Sequence, residues 1–226
     1  MTRMLFITIP KSGTHMLNQA TTRRQYNNLP WGSMIYEPVP NEKTLEGIYK
    51  QDQLVARTHI SYHPLYELAL RESNTKAIFL YRDPRDMLVS YYEWVKKLGH
   101  GGASIPRLVD DVGDFLDSPD PIMEMLYFWG EHVRRYIPWM FVPDVMPLKF
   151  EELVANKEGV CQDIIDFWGS SPYGDAKAMA SKIKPSTSDT FRKGVVGDWR
   201  NYFQPHHIEE FNNNFYKTMK VLGYEL

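Results

Sequence analysis

The sequence predicts an α/β fold in which helices flank a central parallel β-sheet. Short apolar runs alternate along the chain with longer amphipathic segments, which is the pattern of βαβ units. The 226 residues suit a single domain, residues 1–226, and hydrophobic residues make up 43% of them, enough for a sizeable core. Ligands of such sheets bind beyond the carboxyl ends of the strands, so the turns after the strands are the expected sites.

Four apolar runs are predicted to be strands, and amphipathic segments between and after them are predicted to be helices. The strands are residues 4–9, 54–56, 76–81 and 145–150, the last stopped by Glu151. The helices are residues 13–27, 64–71, 84–97, 122–136, 160–168, 175–183 and 205–222. Asp83 is the expected N-cap and Pro84 the first residue of the third helix. Residues 184–203 show no clean period.

Composition narrows the possible functions. A formal net charge of −2 gives no overall attraction for nucleic acid or an anionic membrane, so an anionic ligand must be bound by a local basic cluster. No run of about twenty apolar residues occurs, and the apolar run at the start is too short for a signal peptide. The single cysteine, Cys161, rules out a disulfide framework within one chain and favours a cytoplasmic location.

The first candidate site is the turn between the first strand and the first helix, residues 10–15 (Pro-Lys-Ser-Gly-Thr-His). Backbone N–H groups of such a turn and the helix N-terminus form an anion cradle, and Gly13 permits close approach of a phosphate. Lys11 adds a charge, and Ser12 and Thr14 add hydroxyl donors. The loop is not a Walker A motif, because the glycine spacing before the lysine is missing. Taken alone, a polar turn that only caps the helix is an equally good interpretation.

The turn after the third strand offers a second anion site. Arg82 leaves the strand at its carboxyl end, and Ser90 lies two turns into the following helix. The planar guanidinium of an arginine suits a terminal phosphate, because it makes two parallel hydrogen bonds. The alternative is a surface network of Arg82, Asp83, Arg85 and Asp86, which would contribute little.

A third basic segment lies late in the chain, at residues 191–201. Arg192 and Lys193 can clamp a phosphate from above, and Gly194 offers its N–H without a side chain in the way. Gly197 permits a tight turn, and the aspartate and tryptophan that follow it are expected to anchor the loop.

Together the three segments resemble the cytosolic-type sulfotransferase family. Residues 10–14 are similar to its 5′-phosphosulfate loop, residues 81–90 to its 3′-phosphate motif, and residues 192–201 to its late RKGxxGDWKN signature. Residues 148–153 resemble its YED-type strand end. The resemblance spans most of the chain. It implies a P-loop NTPase-like sulfotransferase fold and transfer of a sulfuryl group from 3′-phosphoadenosine 5′-phosphosulfate (PAPS) to a hydroxyl or amine, with release of PAP.

The resemblance also assigns residues to the PAPS site. They are Lys11, Ser12, Gly13, Thr14 and His15 in the first segment, Arg82 and Ser90 in the second, and Arg192, Lys193 and Gly194 in the third. Lys11 is expected to be catalytic as well, stabilising charge on the bridging oxygen as the donor bond breaks. No metal is required, because the leaving group is a stable phosphate.

His59 is the second expected catalytic residue. Residues 57–60 (Arg-Thr-His-Ile) are similar to the family's segment with a Thr-His pair after the second strand, in which the histidine is the base. A histidine at a strand's carboxyl end can take a proton from an acceptor hydroxyl. Without the family context, a packing role would be the preferred interpretation.

The other histidines are not expected to bind a metal. His59 and His63 could form a pair, but no third ligand is evident and Pro64 is expected to disrupt the local helix. His206 and His207 are predicted to be a solvated helix start.

Two positions depart from the family pattern. His15 and Met16 stand where the family has a second threonine and then the tryptophan that stacks on adenine, so stacking is expected to be weaker or to come from elsewhere. Gln204 and Pro205 replace the Thr-Val pair of the family's dimer motif, which predicts a monomer or a dimer through another surface. The short stretch between residues 150 and 192 predicts a more open acceptor site.

The acceptor itself is not readable from the sequence. Trp31, Met34, Ile35 and Tyr36 lie between the phosphate loop and His59 and are candidate pocket walls, with ordinary packing as the alternative. An apolar, aromatic wall favours a small molecule over a polyanionic glycan. Two other functions stay open: a P-loop small-molecule kinase, which would need a Walker A loop and Mg²⁺, and a non-catalytic PAP-binding protein.

Overall fold

One parallel β-sheet organises the part of the chain that the structure describes. A computed structural model describes residues 3–21, 27–28, 40–50, 55–98, 116–184 and 194–226. The strands are β1 (Arg3–Thr8), β2 (Asn27–Asn28), β3 (Val55–Thr58), β4 (Thr75–Tyr81) and β5 (Val145–Lys149). Their order across the sheet is β2-β3-β1-β4-β5, and all neighbouring pairs are parallel. The predicted α/β architecture is confirmed, with β1 at the centre.

Helices connect the strands and cover both faces of the sheet. Among the described residues, the helices before β5 are α1 (Thr14–Thr21), α2 (Glu42–Tyr49), α3 (Pro64–Glu72), α4 (Pro84–Leu98) and α5 (Pro121–Arg134). After β5 come α6 (Phe150–Ala155), α7 (Lys157–Trp168), α8 (Ala176–Ala180) and α9 (Pro205–Leu222), and two short 3₁₀ turns span Ile137–Phe141 and Asp198–Asn201. None of the described helices is long and apolar enough to cross a membrane.

The central strand contributes side chains to two separate cores, because successive residues of a strand point to opposite faces. Leu5 and Ile7 join the core formed with α3, α4, α5 and α9, whereas Met4 and Phe6 join the core formed with α1, α7 and α8. Both faces of β1 are therefore buried, which is why its sequence is a continuous apolar run and not an alternating one.

Three parts of the predicted element order are wrong or missing. Phe150 is not the end of a strand but the first residue of α6, and Glu151 lies inside that helix. Asn27 belongs to β2 and not to the first helix. The short α2 was not predicted; it begins after Asn41, whose side chain accepts the Thr44 N–H at 3.2 Å. Strand β2 and helix α6, with two and six residues, are too short to show a hydrophobic period.

Helices α5 and α9 approach each other closely at Gly130. A Cβ atom placed on Gly130 would lie 2.1–2.4 Å from three atoms of the Phe215 ring. Phe215 is fully buried, and its ring also contacts the rings of Phe211 and Tyr127. The missing side chain at position 130 therefore allows the two helices to pack against each other.

We predict that Gly130→Ala destabilises the protein by about 1–3 kcal/mol, the usual effect of overpacking a filled core. At an open helical position the same change would stabilise by roughly 0.5–1 kcal/mol, so the sign tests the contact. Urea unfolding measures the free energy. In a Phe215→Leu background the cost of Gly130→Ala should be smaller; a stabilising effect of Gly130→Ala in the wild-type background would contradict the prediction.

Candidate functional site

The register of the sheet brings three chain segments to one edge. Ile7 pairs with Thr58, and Thr8 pairs with Leu80. Because these strands are parallel, their carboxyl ends lie together. The loop after β1, the segment that starts at His59 and the turn that starts at Arg82 therefore leave the sheet side by side, as the sequence predicted.

The loop between β1 and α1 has the backbone of an anion-binding turn. Lys11 has φ 71° and Gly13 has φ 104°, both in the left-handed region. The turn is closed by the Ser12 N–H, which donates to the Ile9 carbonyl at 3.1 Å, and the Gly13 carbonyl accepts the Met16 N–H at 2.9 Å. Alternating backbone conformations of this kind form concavities for anions, and the loop leads directly into the positive end of α1.

Phe150 connects the first segment to the second. A Cβ atom on Gly13 would lie 2.5 Å from Phe150 Cδ2, so the loop can pack on this ring only because residue 13 is a glycine. The guanidinium carbon of Arg82 lies 4.5 Å from the centroid of the same ring. The apolar pattern of residues 145–150 did not indicate this role for Phe150, because it predicts the end of a strand there.

Several buried polar groups at this edge have no hydrogen-bond partner among the described residues, and Thr58 Oγ1 at the end of β3 is one of them. Two others, Ser12 Oγ and Arg82 Nε, belong to the first and second segments, and both side chains are buried. Buried polar groups in proteins are almost always paired, and an orphan of either kind costs about 1–3 kcal/mol. An anionic ligand with several oxygen acceptors fits both groups.

The third segment docks on the second through Asp86. Its carboxylate accepts the Gly197 N–H at 2.7 Å and the Trp199 N–H at 2.9 Å, and it pairs with Arg82 Nη2 at 3.3 Å. Arg82 Nη2 also donates to the Val195 carbonyl at 2.6 Å. The late segment is thus anchored to Asp86 by the backbone N–H groups of Gly197 and Trp199. Gly194 is described, with φ 62°, whereas the expected phosphate ligands at positions 192 and 193 lie outside the described residues.

The charged residues of the second segment are buried, so they are not a surface network. Arg82, Asp83, Arg85 and Asp86 are each at most 7% exposed. Arg85 is held by both carboxylate oxygens of Asp83, at 3.0 and 2.8 Å. The Arg85 N–H donates to Asp83 Oδ1 at 2.9 Å, which confirms Asp83 as the cap of α4. The Arg85 guanidinium is therefore already bound within the protein. Ser90 is also buried, and it follows Asp86 by four positions on α4, so the two residues share a face of that helix.

His59 is hydrogen-bonded to the end of β1. Its Nδ1 lies 2.6 Å from the Thr8 carbonyl and 2.9 Å from Thr8 Oγ1. A carbonyl oxygen can only accept, so Nδ1 carries the proton and the lone pair of the neutral ring is on Nε2. Thr14 Oγ1 donates to Thr8 Oγ1 at 2.9 Å. The histidine is therefore joined to the phosphate loop through two threonines.

Aromatic side chains hold the backbone around His59. The Tyr136 hydroxyl donates to the His59 carbonyl at 2.9 Å, and Trp139 Nε1 donates to the Ile60 carbonyl at 3.2 Å. The Tyr62 N–H donates to the Arg135 carbonyl at 3.0 Å. These contacts come from the end of α5 and the 3₁₀ turn that follows it. By fixing the backbone on either side of His59, they restrict the positions that its imidazole can take, as a general base requires.

The electrostatic environment of His59 is positive. Burial lowers its pKa to about 4, against the raising effect of the Thr8 hydrogen bond, and Arg57 and His15 lower it further. The pKa of His15 is lowered by burial and by Arg57 and Lys11. Like charges lower the pKa of a histidine only when they are close. The loop and the end of β3 therefore form one basic cluster suited to an anion.

Trp94 is a second residue that the sequence analysis missed. Its ring centroid lies 5.0 Å from Lys11 Nζ, a cation–π contact. Trp94 follows Ser90 by four positions on α4, so both lie on one face of that helix. The four-residue spacing from Ser90 to Trp94 is the sequence feature that could have indicated this role for Trp94. The indole provides an aromatic surface beside the lysine of the phosphate loop.

Two expectations about the remaining histidines are wrong: the one that Pro64 disrupts the helix next to His63, and the one that His207 is solvated. Pro64 does not disrupt a helix but begins α3, and His63 Nδ1 caps it by accepting the Leu65 N–H at 3.1 Å. His207 is not solvated: it is 4% exposed, and its Nε2 lies 2.8 Å from the Asp120 carboxylate.

Asp120, His206 and His207 are the one group of three potential metal ligands that the described residues bring together, with donor atoms within 4.8 Å of one another. His207 Nδ1 accepts the Gln204 N–H at 2.9 Å, so its Nε2 carries the proton and donates to Asp120. Burial opposes ionisation of Asp120, but hydrogen bonds from His206 and His207 lower its pKa to about 2. The three side chains satisfy one another and join the start of α5 to the start of α9.

Comparison with known proteins identifies the family. The profile of the sulfotransferase domain matches residues 1–223. The chain belongs to the sulfotransferase domain family. This assignment makes it a PAPS-dependent transferase, as the three segments predicted, and removes the small-molecule kinase from consideration.

The relatives of this sulfotransferase are distant but match along nearly its whole length. Mouse sulfotransferase 2A2 is 26% identical over 245 residues, covering 96% of this chain and 84% of the relative. Bovine sulfotransferase 1E1 is 23% identical over 253 residues, covering 96% and 83%. The solved mouse sulfotransferase SULT7A1 complexed with PAP has a TM-score of 0.65 at 19% identity, covering 97% of this chain and 84% of that one. Retinol dehydratase in complex with androsterone and the inactive cofactor PAP has a TM-score of 0.63 at 17% identity, covering 99% and 82%.

We predict that the sulfotransferase loses stability as the pH falls from about 6.5 to 4, with His59 as one cause. Its pKa is about 4 when folded and ordinarily 6.5, so in this interval the unfolded chain binds more protons and stability rises with pH. The contribution is on the order of 3 kcal/mol across the interval.

Denaturant unfolding at a series of pH values measures this slope. His59→Asn removes the titrating ring while keeping an N–H that can reach the Thr8 carbonyl, and it should flatten the dependence. An unchanged slope in that variant would assign the pH dependence to other groups.

Proposed function

We propose that this sulfotransferase transfers the sulfuryl group of PAPS in line to a hydroxyl or amine of a small molecule, with His59 as base and Lys11 as the group that stabilises the leaving oxygen. The observation that carries the proposal is the hydrogen-bond chain from His59 through Thr8 to Thr14. Base and phosphate loop are thereby held as one unit, so the donor and the proton acceptor have a defined geometry.

The donor is assigned to the three segments that meet at the sheet edge. In this proposal Lys11, Ser12, Gly13, Thr14 and His15 bind the 5′-phosphosulfate, while Arg82, Ser90, Arg192, Lys193 and Gly194 bind the 3′-phosphate. The buried Ser12 Oγ and Arg82 Nε, without partners among the described residues, support one anion at each end. The positive cluster around His59 supports a ligand with several negative charges.

The chemical step breaks the bond between sulfur and the bridging oxygen of PAPS and forms a bond between sulfur and the acceptor. The bridging oxygen leaves with the 5′-phosphate of PAP, and Lys11 balances the charge that develops there. The acceptor proton moves to Nε2 of His59, which has the lone pair. PAPS brings negative charge next to Arg57 and Lys11, which offsets the effect that lowers the pKa of His59 and makes the bound-state base stronger.

A small and partly apolar acceptor is the best match to the described site. Trp94 offers an aromatic face beside Lys11, and aromatic walls are typical of small-molecule pockets. A distant relative, from guinea pig, is a 3-alpha-hydroxysteroid sulfotransferase, 24% identical to this chain. The candidate walls at positions 31, 34, 35 and 36 lie outside the described residues.

The proposal includes three further expectations from the sequence: a single domain, a cytoplasmic location and a reaction without metal. It also includes a monomer, or a dimer through a surface other than residues 201–209. Gln204 and His207 cap each other at the start of α9, and His207 bonds to Asp120. The polar groups of this stretch are thus used within the chain, which supports that expectation.

We predict that PAP binds this protein more tightly than AMP, because only PAP offers a 3′-phosphate to Arg82 and Ser90. A hydrogen bond to a charged group contributes about 1.5–3 kcal/mol, so the affinities should differ by at least roughly tenfold. Thermal shift at matched concentrations and calorimetry measure this. Arg82→Lys removes the planar guanidinium and should reduce the difference between the PAP and AMP affinities. Arg134→Lys, on the exposed surface of α5, should leave that difference unchanged. Equal shifts with both nucleotides would overturn the assignment of this site.

We predict that His59→Ala loses transfer activity by about 10²–10⁴ or more, the usual contribution of a general base, while PAP affinity is kept. His59→Asn, which keeps a donor toward Thr8 but has no base, should be as inactive. Lys11→Ala should lose roughly 10²–10³ in rate and also bind PAPS more weakly, because Lys11 contacts the donor.

Mass detection of the product from labelled PAPS, with a panel of hydroxyl and amine acceptors, measures both variants. Circular dichroism and the PAP thermal shift check that they are folded. Near wild-type turnover in His59→Ala would make His59 a packing residue. PAP binding by the wild type without transfer to any acceptor would favour a non-catalytic PAP-binding protein.

A further inference from the structure

The segment after α9, residues 223–225, packs against the turn that carries Arg82; it is called the closing segment below. Gly223 has φ 71° and turns the chain back, and the Tyr224 N–H donates to the Met219 carbonyl at 2.9 Å. Lys149, the last residue of β5, donates to the Gly223 carbonyl at 2.9 Å, and its ammonium lies 4.7 Å from the centre of the Tyr224 ring. The closing segment is thus placed at the carboxyl end of the sheet.

A short hydrogen-bond chain leads from Tyr224 to the backbone next to Arg82. The Tyr224 hydroxyl donates to Glu151 Oε2 at 2.7 Å, and the other oxygen of that carboxylate accepts the Asp83 N–H at 3.1 Å. The Asp83 N–H belongs to the peptide plane that joins Arg82 to Asp83. Because a peptide unit is planar, fixing this N–H also fixes the orientation in which Arg82 leaves the strand.

A second contact joins the closing segment to the same turn. Arg85, held by both oxygens of Asp83, donates through Nη2 to the Glu225 carbonyl at 2.9 Å. Its guanidinium carbon lies 4.1 Å from the centroid of the Trp199 ring, in the third segment. The turn is therefore held from one side by the closing segment and from the other by residues 195–199, which bind Arg82 and Asp86.

We propose that Tyr224 is a positioning residue for the 3′-phosphate end of the nucleotide site, acting through Glu151 and the Asp83 N–H on Arg82. The inference rests on the proposed function, because it needs Arg82 to bind the 3′-phosphate. Tyr224 itself contacts no nucleotide in this proposal. Its effect is to hold the peptide plane from which the Arg82 side chain starts, so that Nε and the fork meet the ligand without reorganisation.

The electrostatics of Glu151 explain why the tyrosine matters. Burial raises the pKa of Glu151, and its hydrogen bonds from Tyr224 and Asp83 oppose this effect. Burial and the nearby Glu151 raise the pKa of Tyr224, so its hydroxyl stays protonated and acts as the donor. A carboxylate accepts stronger hydrogen bonds than a neutral acid. Loss of the Tyr224 hydroxyl removes one of these two donors, disfavours the charged form and weakens the bond to the Asp83 N–H.

The test compares Tyr224→Phe with wild type by calorimetry, using PAP and AMP as probes. We expect the Kd for PAP to rise roughly 3- to 10-fold, the effect of about one net hydrogen bond, while the Kd for AMP stays within about twofold. A general loss of stability would not change the ratio of the two affinities. Tyr216→Phe is the matched control, since Tyr216 lies on the exposed surface of α9, and it should leave both affinities unchanged.

A double variant tests the route through Glu151. Glu151→Gln should weaken PAP binding in the same direction, and Tyr224→Phe should add little in that background if the two residues act in series. Additive effects would overturn the proposed route. If Tyr224→Phe does not fold, the PAP-to-AMP ratio of Glu151→Gln, measured beside Tyr216→Phe, decides the proposal in its place.

The possible results distinguish the positioning role of Tyr224 from the proposed 3′-phosphate site on which it rests. Wild-type protein that prefers PAP over AMP, with an unchanged ratio in Tyr224→Phe, would overturn the positioning role alone. Wild-type protein that does not distinguish the two nucleotides would overturn the 3′-phosphate assignment, and the positioning role with it. A selective loss of PAP affinity in Tyr224→Phe, with normal AMP affinity, supports both.

Discussion

The parallel pairing of β1 with β3 on one side and β4 on the other is the constraint on which the site depends. Parallel strands end at the same edge, so the three segments that follow them converge there without any direct sequence relation. The register is held by burial of both faces of β1, because a one-residue slip would move each side chain into the opposite core, where the packing is built for a different residue. The packing of the core therefore sets the relative positions of the β1–α1 loop, His59 and Arg82.

Buried charge is the second organising feature. Arg82, Arg85, Asp83 and Asp86 lie at the carboxyl end of β4 and the start of α4, where burial of an unpaired charge would be strongly unfavourable. Each arginine has a carboxylate partner, and the remaining acceptor capacity of Asp86 binds two backbone N–H groups of the late segment. The same interactions that satisfy the charges therefore bring residues from distant parts of the chain to the nucleotide site.

Motifs and short-range patterns identified much of this arrangement from the sequence. The strand-loop-helix order around residues 10–15, the cap at Asp83 and the positions of His59 and Arg82 follow from local chemistry, since each depends on a few neighbouring residues. Phe150, Trp94 and Glu151 were not recognised as parts of the site. Their roles depend on which distant side chains pack on them, and a residue's period or type does not specify its partner.

The sequence alone determined the fold class, the family and the types of residue at the site, because apolar periodicity and loop composition depend only on residues close together in the chain. The tertiary structure decided which nitrogen of His59 carries the proton, since that depends on the Thr8 carbonyl 51 positions away. It also decided that Arg85 is occupied by Asp83 and Glu225 while Arg82 Nε is not satisfied by the described residues. Both arginines belong to the same motif and differ only in what surrounds them, and hydrogen-bond satisfaction is a property of the surroundings.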